Sequence, residues 1–279
     1  MKEKLRWVWV VLEIFLMVVF LVRWLPLGIY RLFPQFESWQ TVTIGFAFPV
    51  FVDVVMIGLA CLVIWLRGRS LEEHGLTFRH PKYHLGIVAT CFLPVVLGNF
   101  PFAFVDPEQW GGALVLAVVQ TGLLFWLGSI LRKKTDLPRA VMAGLVLIPL
   151  NAASTGLLAG KAVMIFLTYA LFVGFGEEIF YRGYVQSRLN EVFGRPFRFF
   201  GISFGWGAIL TAVLFGLSHT GLLGRAVGLE TEIHLAHGFW TFFSGLVFGL
   251  VREKTGSILA PALLHGLPQA LAEVGSLFF

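Results

Sequence analysis

Charge is scarce in this chain. Of 279 residues, 13% are charged and 57% are hydrophobic, against roughly 25% and 45–50% in an ordinary soluble domain. A chain so poor in charge cannot fold for most of its length as a compact body in water. Cysteine is scarcer still. Cys61 and Cys91 are the only two, both sit inside apolar runs without CxxC spacing, and they read as small packing residues. There is no internal repeat, no low-complexity tract and no glycine-rich phosphate loop. Basic residues are not interleaved with aromatics on a soluble surface, which sets nucleic-acid binding aside despite a net charge of +5.

What the chain has instead is long apolar blocks. A bilayer core about 30 Å thick takes about 20 apolar residues per helical span. Candidate spans are Leu5–Leu25, Val42–Leu66, Leu85–Val105, Gly112–Leu131, Ala140–Leu158, Ala162–Phe180, Gly201–His219, Ala236–Val251 and Ser257–Phe279. The last two are short or interrupted by Pro261 and Pro268, so the expectation is an all-α, polytopic transmembrane bundle of eight or nine spans. No separate soluble domain fits between them. The basic stretch Met1–Arg6 precedes a run too long for a signal peptide and lacking a small-x-small cleavage site, so it reads as a retained first helix. With nine alternating spans, 17 of the 21 Lys and Arg residues fall on the side of the N-terminus, leaving Arg23, Arg31, Lys161 and Arg225 opposite. Cytoplasmic loops carry the Lys/Arg excess, which puts the N-terminus in the cytoplasm.

Ionisable residues within spans are costly, about 2.5–3.5 kcal/mol each on insertion scales, and therefore informative. Glu13, Arg23 and Asp53 are isolated and read as paired or snorkelling side chains. Asn99 reads as an interhelical hydrogen-bonding group, and Trp206 and Trp240 as interfacial anchors. The C-terminal third differs because its polar residues cluster. The clusters are Gly176-Glu177-Glu178-Ile179-Phe180-Tyr181-Arg182-Gly183, Phe215-Gly216-Leu217-Ser218-His219 and His265-Gly266-Leu267-Pro268-Gln269.

Helix geometry separates the two glutamates. Glu178 and Arg182 are spaced i, i+4 and can pair. Glu177 lies about 100° round the helix and is free to face a cavity. A turn at Gly194-Arg195-Pro196 would make a hairpin of the two flanking helices. Glu177 precedes Arg195 by 18 residues and His219 follows it by 24, which puts both about 27–36 Å from the turn. His265, nine residues past Gly256, would be about 14 Å deep. These depths agree if Gly183–Phe193 is a helical arm projecting into the cytoplasm, with Thr220–His234 re-entrant or in a cavity.

A carboxylate beside a histidine can deprotonate a water held between them. A second histidine, helped by the Gln269 amide one turn on, can stabilise an oxyanion. That set suits hydrolysis of a peptide bond by activated water. The same residues could instead hold zinc through Glu177, His219 and His265, with an open position for water. His-Glu-x-x-His, the Gly-x-Ser-Gly of rhomboid proteases and the Gly-x-Gly-Asp of presenilins are all absent; Gly174-Phe175-Gly176-Glu177 is a near miss to the last.

Glu177-Glu178-(x3)-Arg182, Phe215-(x3)-His219 and His265-(x3)-Gln269, in that order on successive helices, resemble the motifs of the CPBP family, which includes CAAX prenyl protease type 2 and bacteriocin-processing membrane proteases. Arg182-Gly183, Gly245-Leu246-Val247-Phe248-Gly249 and the run from Thr255-Gly256-Ser257 through Pro261 to His265 share the likeness. It covers about Phe166 to Gln269, so residues 1–160 read as generic membrane helices and 161–279 as a protease-like core. The resemblance implies an intramembrane endopeptidase with Glu177 as base, His219 helping to activate water, and His265 binding the oxyanion. Glu178 and Arg182 would hold the architecture beside Phe215. Gln269 stands where the family usually has Asn, keeping the amide donor with one more methylene. Both a zinc mechanism and a metal-free glutamate mechanism are argued for the family. The implied partners are the lipid bilayer and a prenylated or otherwise membrane-associated peptide; the short chain without eukaryotic targeting or sorting signals suggests a prokaryotic cell membrane. Two other readings stay open: a non-catalytic peptide-binding immunity protein, and a proton-coupled transporter.

Overall fold

The computed structural model describes residues 2–32, 47–132, 156–226, 228, 232–275 and 277. Among these, helix α1 begins as Lys2–Val19 and continues through a π-helical turn, Phe20–Trp24, into Leu25–Leu32. Helices α2 (Ala47–Leu66), α3 (Pro81–Asn99) and α4 (Trp110–Arg132) follow. Helix α5 is one rod built from Gly156–Leu167, Thr168–Val173, Gly174–Glu178, Ile179–Val185 and Gln186–Phe193, the second and fourth pieces π-helical. After it come an antiparallel hairpin, β1 (Phe197–Phe199) and β2 (Ile202–Phe204), then α6 (Trp206–Ser218), α7 (Leu222–Ala226), α8 (Leu235–Thr255) and α9 (Leu259–Gly275).

Local chemistry sets the ends. Pro81 opens α3 where a missing N–H costs nothing. Gly256 closes α8 with φ 68°, a left-handed cap whose N–H bonds the Arg252 carbonyl at 2.9 Å.

The apolar side chains form two main cores with α5, α6, α8 and α9 between them. One gathers α3, α4, α8 and α9 around Cys91, Leu127, Val251 and Leu264. The other gathers α1, α2, α5 and α6 around Ile14, Ala60, Tyr184 and Phe215. Large apolar side chains also cover the outside, among them Leu93, Val118 and Trp126, as a helix facing lipid requires. Close helix crossings rest on small residues. A Cβ on Gly216 would stand 2.6 Å from the Gly238 carbonyl, and one on Gly245 would stand 3.0 Å from the Ala212 Cα, so α6 and α8 touch backbone to backbone.

The helical bundle is as expected, with several differences of detail. Among the described residues three helices are long and apolar enough to cross a membrane, Pro81–Phe102, Trp110–Arg132 and Gly160–Phe193, and Val50–Leu66 and Trp206–Ser218 are shorter apolar helices. The expected span Ala140–Leu158 falls mostly outside the described residues. The expected span beginning at Gly201 starts instead in the hairpin, and its helix begins only at Trp206. Phe200 and Gly201 both take positive φ, 48° and 81°, the pattern of a type I′ turn. Phe199 and Phe200 lean on Phe125 and on the bare face of Gly128 in α4, which ties the hairpin down.

Gly183–Phe193 is helical, but Gly183–Asn190 is buried in the protein rather than projecting from it. Its polar side chains have protein partners: Gln186 donates to the Gly249 carbonyl at 3.2 Å and to Glu253 at 2.9 Å. Arg188 binds Glu13 at 2.9 Å and Glu191 at 2.6 Å, and Glu13 also takes Arg67 at 2.6 Å. Trp240 is buried against Phe102 rather than anchored at an interface, whereas Trp206 is exposed.

The α6–α8 crossing makes a direct prediction. Replacing Gly216→Ala forces the Gly238 carbonyl to move, and overpacking of this kind costs about 1–3 kcal/mol. Thermal unfolding in detergent should show a lowered midpoint; an unchanged midpoint would mean that the crossing has slack.

Candidate active site

The site is built on the middle of α5. Gly174–Glu178 lies between two π-helical stretches, a local widening of the helix often found at functional sites. Two glycines there admit other helices. A Cβ on Gly174 would meet the Ala262 carbonyl and the Gly266 Cα of α9, both at 2.8 Å, and one on Gly176 would meet the Asp53 Cβ of α2 at 2.8 Å. The near-miss Gly174-Phe175-Gly176-Glu177 thus has a packing role: it brings α9 and α2 against the two glutamates.

On one face, Glu178 and Arg182 pair at 2.8 Å with both side chains fully removed from solvent. Arg182 also donates to the Gly245 carbonyl of α8 at 3.1 Å and lies 4.5 Å from the centre of the Phe215 ring, a cation–π contact. His265 directs Nδ1 to the same Glu178 oxygen at 3.0 Å, and its ring stacks on Phe248 at 4.8 Å. Carboxylate, guanidinium and imidazole from α5 and α9 are thereby locked to α6 and α8.

The other face opens on a cavity of about 380 Å³. Glu177, Tyr181, Ser218, His219 and Asp53 supply its polar lining, and Val18, Leu21, Val52, Met56 and Val173 much of its apolar wall. One oxygen of Glu177 is buried with no hydrogen-bond partner. His219 points Nδ1 at the Phe215 carbonyl, 2.7 Å away. A carbonyl can only accept, so Nδ1 carries the proton and Nε2 of the neutral ring keeps its lone pair. Phe215 therefore serves two neighbours, its carbonyl orienting His219 and its ring covering Arg182. Ser218 donates to the same carbonyl at 2.8 Å.

The structure thus divides the residues singled out from sequence. Glu177 and His219 share the cavity; Glu178, Arg182, Phe215 and His265 form the adjoining buried cluster. His265 does not line the cavity, and Gln269, one turn further along α9, is half-buried with no hydrogen-bond partner among the described residues. Asp53 and His237 were not picked out for the site. Asp53 enters the cavity, and His237 stacks on His219 with ring planes 4° apart and centroids 5.8 Å apart. The signal for Asp53 was present in the sequence as a lone acid within an apolar span.

A zinc ion held by Glu177, His219 and His265 needs all three to converge. His265 is committed to Glu178, and among the described residues no three His, Cys, Asp or Glu side chains gather in a metal-binding cluster. These residues as placed do not fit the ion, and no step below runs through one.

Comparison with known families now adds to the geometry. Residues 159–271 match the family described as Type II CAAX prenyl endopeptidase Rce1-like. The match covers less than half of the chain. The Rce1-like match takes in all three motifs, from Glu177 to Gln269, and stops short of α1 to α4. No curated protein and no solved structure matches the chain. The Rce1-like family is one of membrane proteases, in keeping with the apolar helices described above.

The buried cluster is testable without a substrate. Arg182→Ala leaves the Glu178 carboxylate uncompensated, and breaking a buried pair from one side costs about 3–5 kcal/mol. The variant should unfold at a much lower temperature in detergent or fail to accumulate, whereas wild-type stability would show that the pair is dispensable.

Proposed function

We propose that the chain is an intramembrane endopeptidase in which Glu177 and His219 activate the attacking water. The observation that carries this reading is the pairing, in one cavity, of a glutamate oxygen without a partner and a histidine whose Nε2 is left free by the Phe215 carbonyl. A water between them would hydrogen-bond to Nε2 and give its proton to Glu177 as its oxygen attacks the peptide carbonyl. The C–N bond then breaks and the leaving amine takes up a proton. Preorganisation is what the neighbouring cluster contributes: Glu178 cannot drift toward the water while Arg182 and His265 hold it.

The oxyanion role that the resemblance implies for His265 and Gln269 requires donors that reach the cavity. The hydroxyls that line it are those of Tyr181 and Ser218; Ser218 gives its proton to the Phe215 carbonyl, which leaves Tyr181 as the hydroxyl donor for a developing oxyanion. The apolar wall suits a lipidated or membrane-associated peptide, and the family match favours processing at a CAAX-type C-terminus.

The test is cleavage by the purified, detergent-solubilised protein of a prenylated CAAX peptide and its non-prenylated counterpart. Glu177→Ala should lower the rate by about 10²–10⁴-fold, the range a positioned general base contributes. An unchanged rate in the variant would remove Glu177 from the chemistry. Absence of cleavage by the wild type on either peptide would count against the enzyme reading and for a peptide-binding protein. A chelator in the same assay should leave the wild-type rate unchanged, and a chelator-sensitive rate restored by zinc would overturn the metal-free reading.

A further inference from the structure

The cavity contains a carboxyl that none of the three motifs includes. Asp53 comes from α2, outside the segment that matches the family, and is 6% exposed. Its Cβ, Cγ and Oδ1 lie 2.8, 3.0 and 3.1 Å from the place where a Cβ on Gly176 would stand. Only a glycine at 176 lets the Asp53 carboxyl lie so close to the helical turn that carries Glu177. Both acids line the cavity.

Neither has a cation. Among the described residues no ion pair involves Asp53 or Glu177, and the guanidinium of Arg182, one turn along α5, is committed to Glu178 and to the Gly245 carbonyl. The remaining polar groups on the cavity are the Tyr181 and Ser218 hydroxyls and the His219 ring, whose Nδ1 proton is directed away to Phe215. Two carboxylates on one apolar cavity, with no cation among the described residues between them, repel each other, and one proton held by the pair removes that repulsion.

We infer that Asp53 is a second catalytic carboxyl, which shares one proton with Glu177 and supplies it to the leaving amine. The inference rests on the endopeptidase reading above. In the resting site the proton sits on Asp53 and Glu177 is the carboxylate. Glu177 takes a proton from water as the water oxygen bonds to the peptide carbon. When the C–N bond breaks, Asp53 gives its proton to the departing nitrogen. The proton now on Glu177 passes to the Asp53 carboxylate beside it and restores the starting state. Water is the only reagent consumed, its O–H going to the new acid and its other hydrogen to the amine. The arrangement also accounts for the glycine at 176, since a Cβ there would meet the Asp53 side chain at 2.8 Å and push it from its place.

Asp53→Asn keeps the shape of the side chain and removes the acidic proton, and is compared with Asp53→Glu and Glu177→Ala on the CAAX peptides. For Asp53→Asn the expected result is a kcat lowered by about 10²-fold or more. KM should stay close to the wild-type value and the unfolding midpoint should be no lower. Asp53→Glu should regain part of the lost kcat. An Asp53→Asn protein with wild-type kcat, or one whose activity falls only as its folded fraction falls, overturns the pair. If that occurs while Glu177→Ala is inactive, the endopeptidase reading stands alone. Infrared spectroscopy tests the pair without any substrate. At neutral pH the wild type should show a protonated-carboxyl stretch that disappears in Asp53→Asn and shifts in frequency in Glu177→Gln. No such band in the wild type overturns the inference whatever the peptides show.

Discussion

A carboxylate and a guanidinium meet at 2.8 Å with no solvent on either side, in a bundle whose other contacts are mostly apolar. Removing two charges from water is expensive, several kcal/mol per ion after relaxation, and their attraction offsets this only when further hydrogen bonds complete the pair. Here further contacts come from three other helices, although Glu178 Oε2 and Arg182 Nε stay buried without a hydrogen-bond partner. The Gly245 carbonyl of α8 accepts from Arg182, His265 of α9 bonds Glu178, and Phe215 of α6 lies across the guanidinium. The pair therefore dictates how four helices meet. It can exist only in that arrangement, and it penalises any other. The glycines at 174 and 245 serve the same end by letting backbones come close enough for these short bonds.

Fixing one glutamate is also what frees the other. Consecutive residues on a helix point about 100° apart, so a rod that anchors Glu178 to its neighbours must aim Glu177 elsewhere. It aims into the cavity, where His219 has been turned by its own backbone bond to present Nε2. The anchored glutamate and the one proposed to work thus sit one residue apart in sequence and on different faces of one helix. Their separation keeps the Arg182 guanidinium committed to Glu178 and not to Glu177.

Much of this could be read from the chain because it is local. The spacing of Glu178 and Arg182 fixes their contact through helix geometry, and the Phe215 to His219 spacing puts a backbone carbonyl under the imidazole. Depth along an axis could also be counted, which is why Glu177 and His219 were expected at one level. Rotation about an axis could not. His265 has a suitable depth, yet its helix turns it to Glu178 rather than to Glu177. Asp53 was beyond sequence for a related reason, since its neighbour lies across a helix crossing set by the absence of one Cβ at Gly176. The hairpin was hidden because Phe197–Phe204 is as apolar as the helices around it; only the paired positive φ values at Phe200 and Gly201 distinguish it. Gly183–Phe193 looked solvated because it is polar, whereas its polar groups are answered by Glu13, Gly249 and Glu253.

The cavity has two walls of different origin. His219, Glu177 and Tyr181 belong to the segment that matches the family, while Val18, Leu21, Val52 and Met56 come from α1 and α2, which lie outside it. The reagents are thus carried by one part of the chain and the surface on which a bound chain would lie by another. A change of side chain in α1 or α2 alters the shape offered to a guest without disturbing the ion pair that positions the reagents. Proteins sharing the same motif-bearing helices could therefore accept quite different guests, and a likeness confined to those helices speaks to the bond that is cut more than to the molecule that carries it.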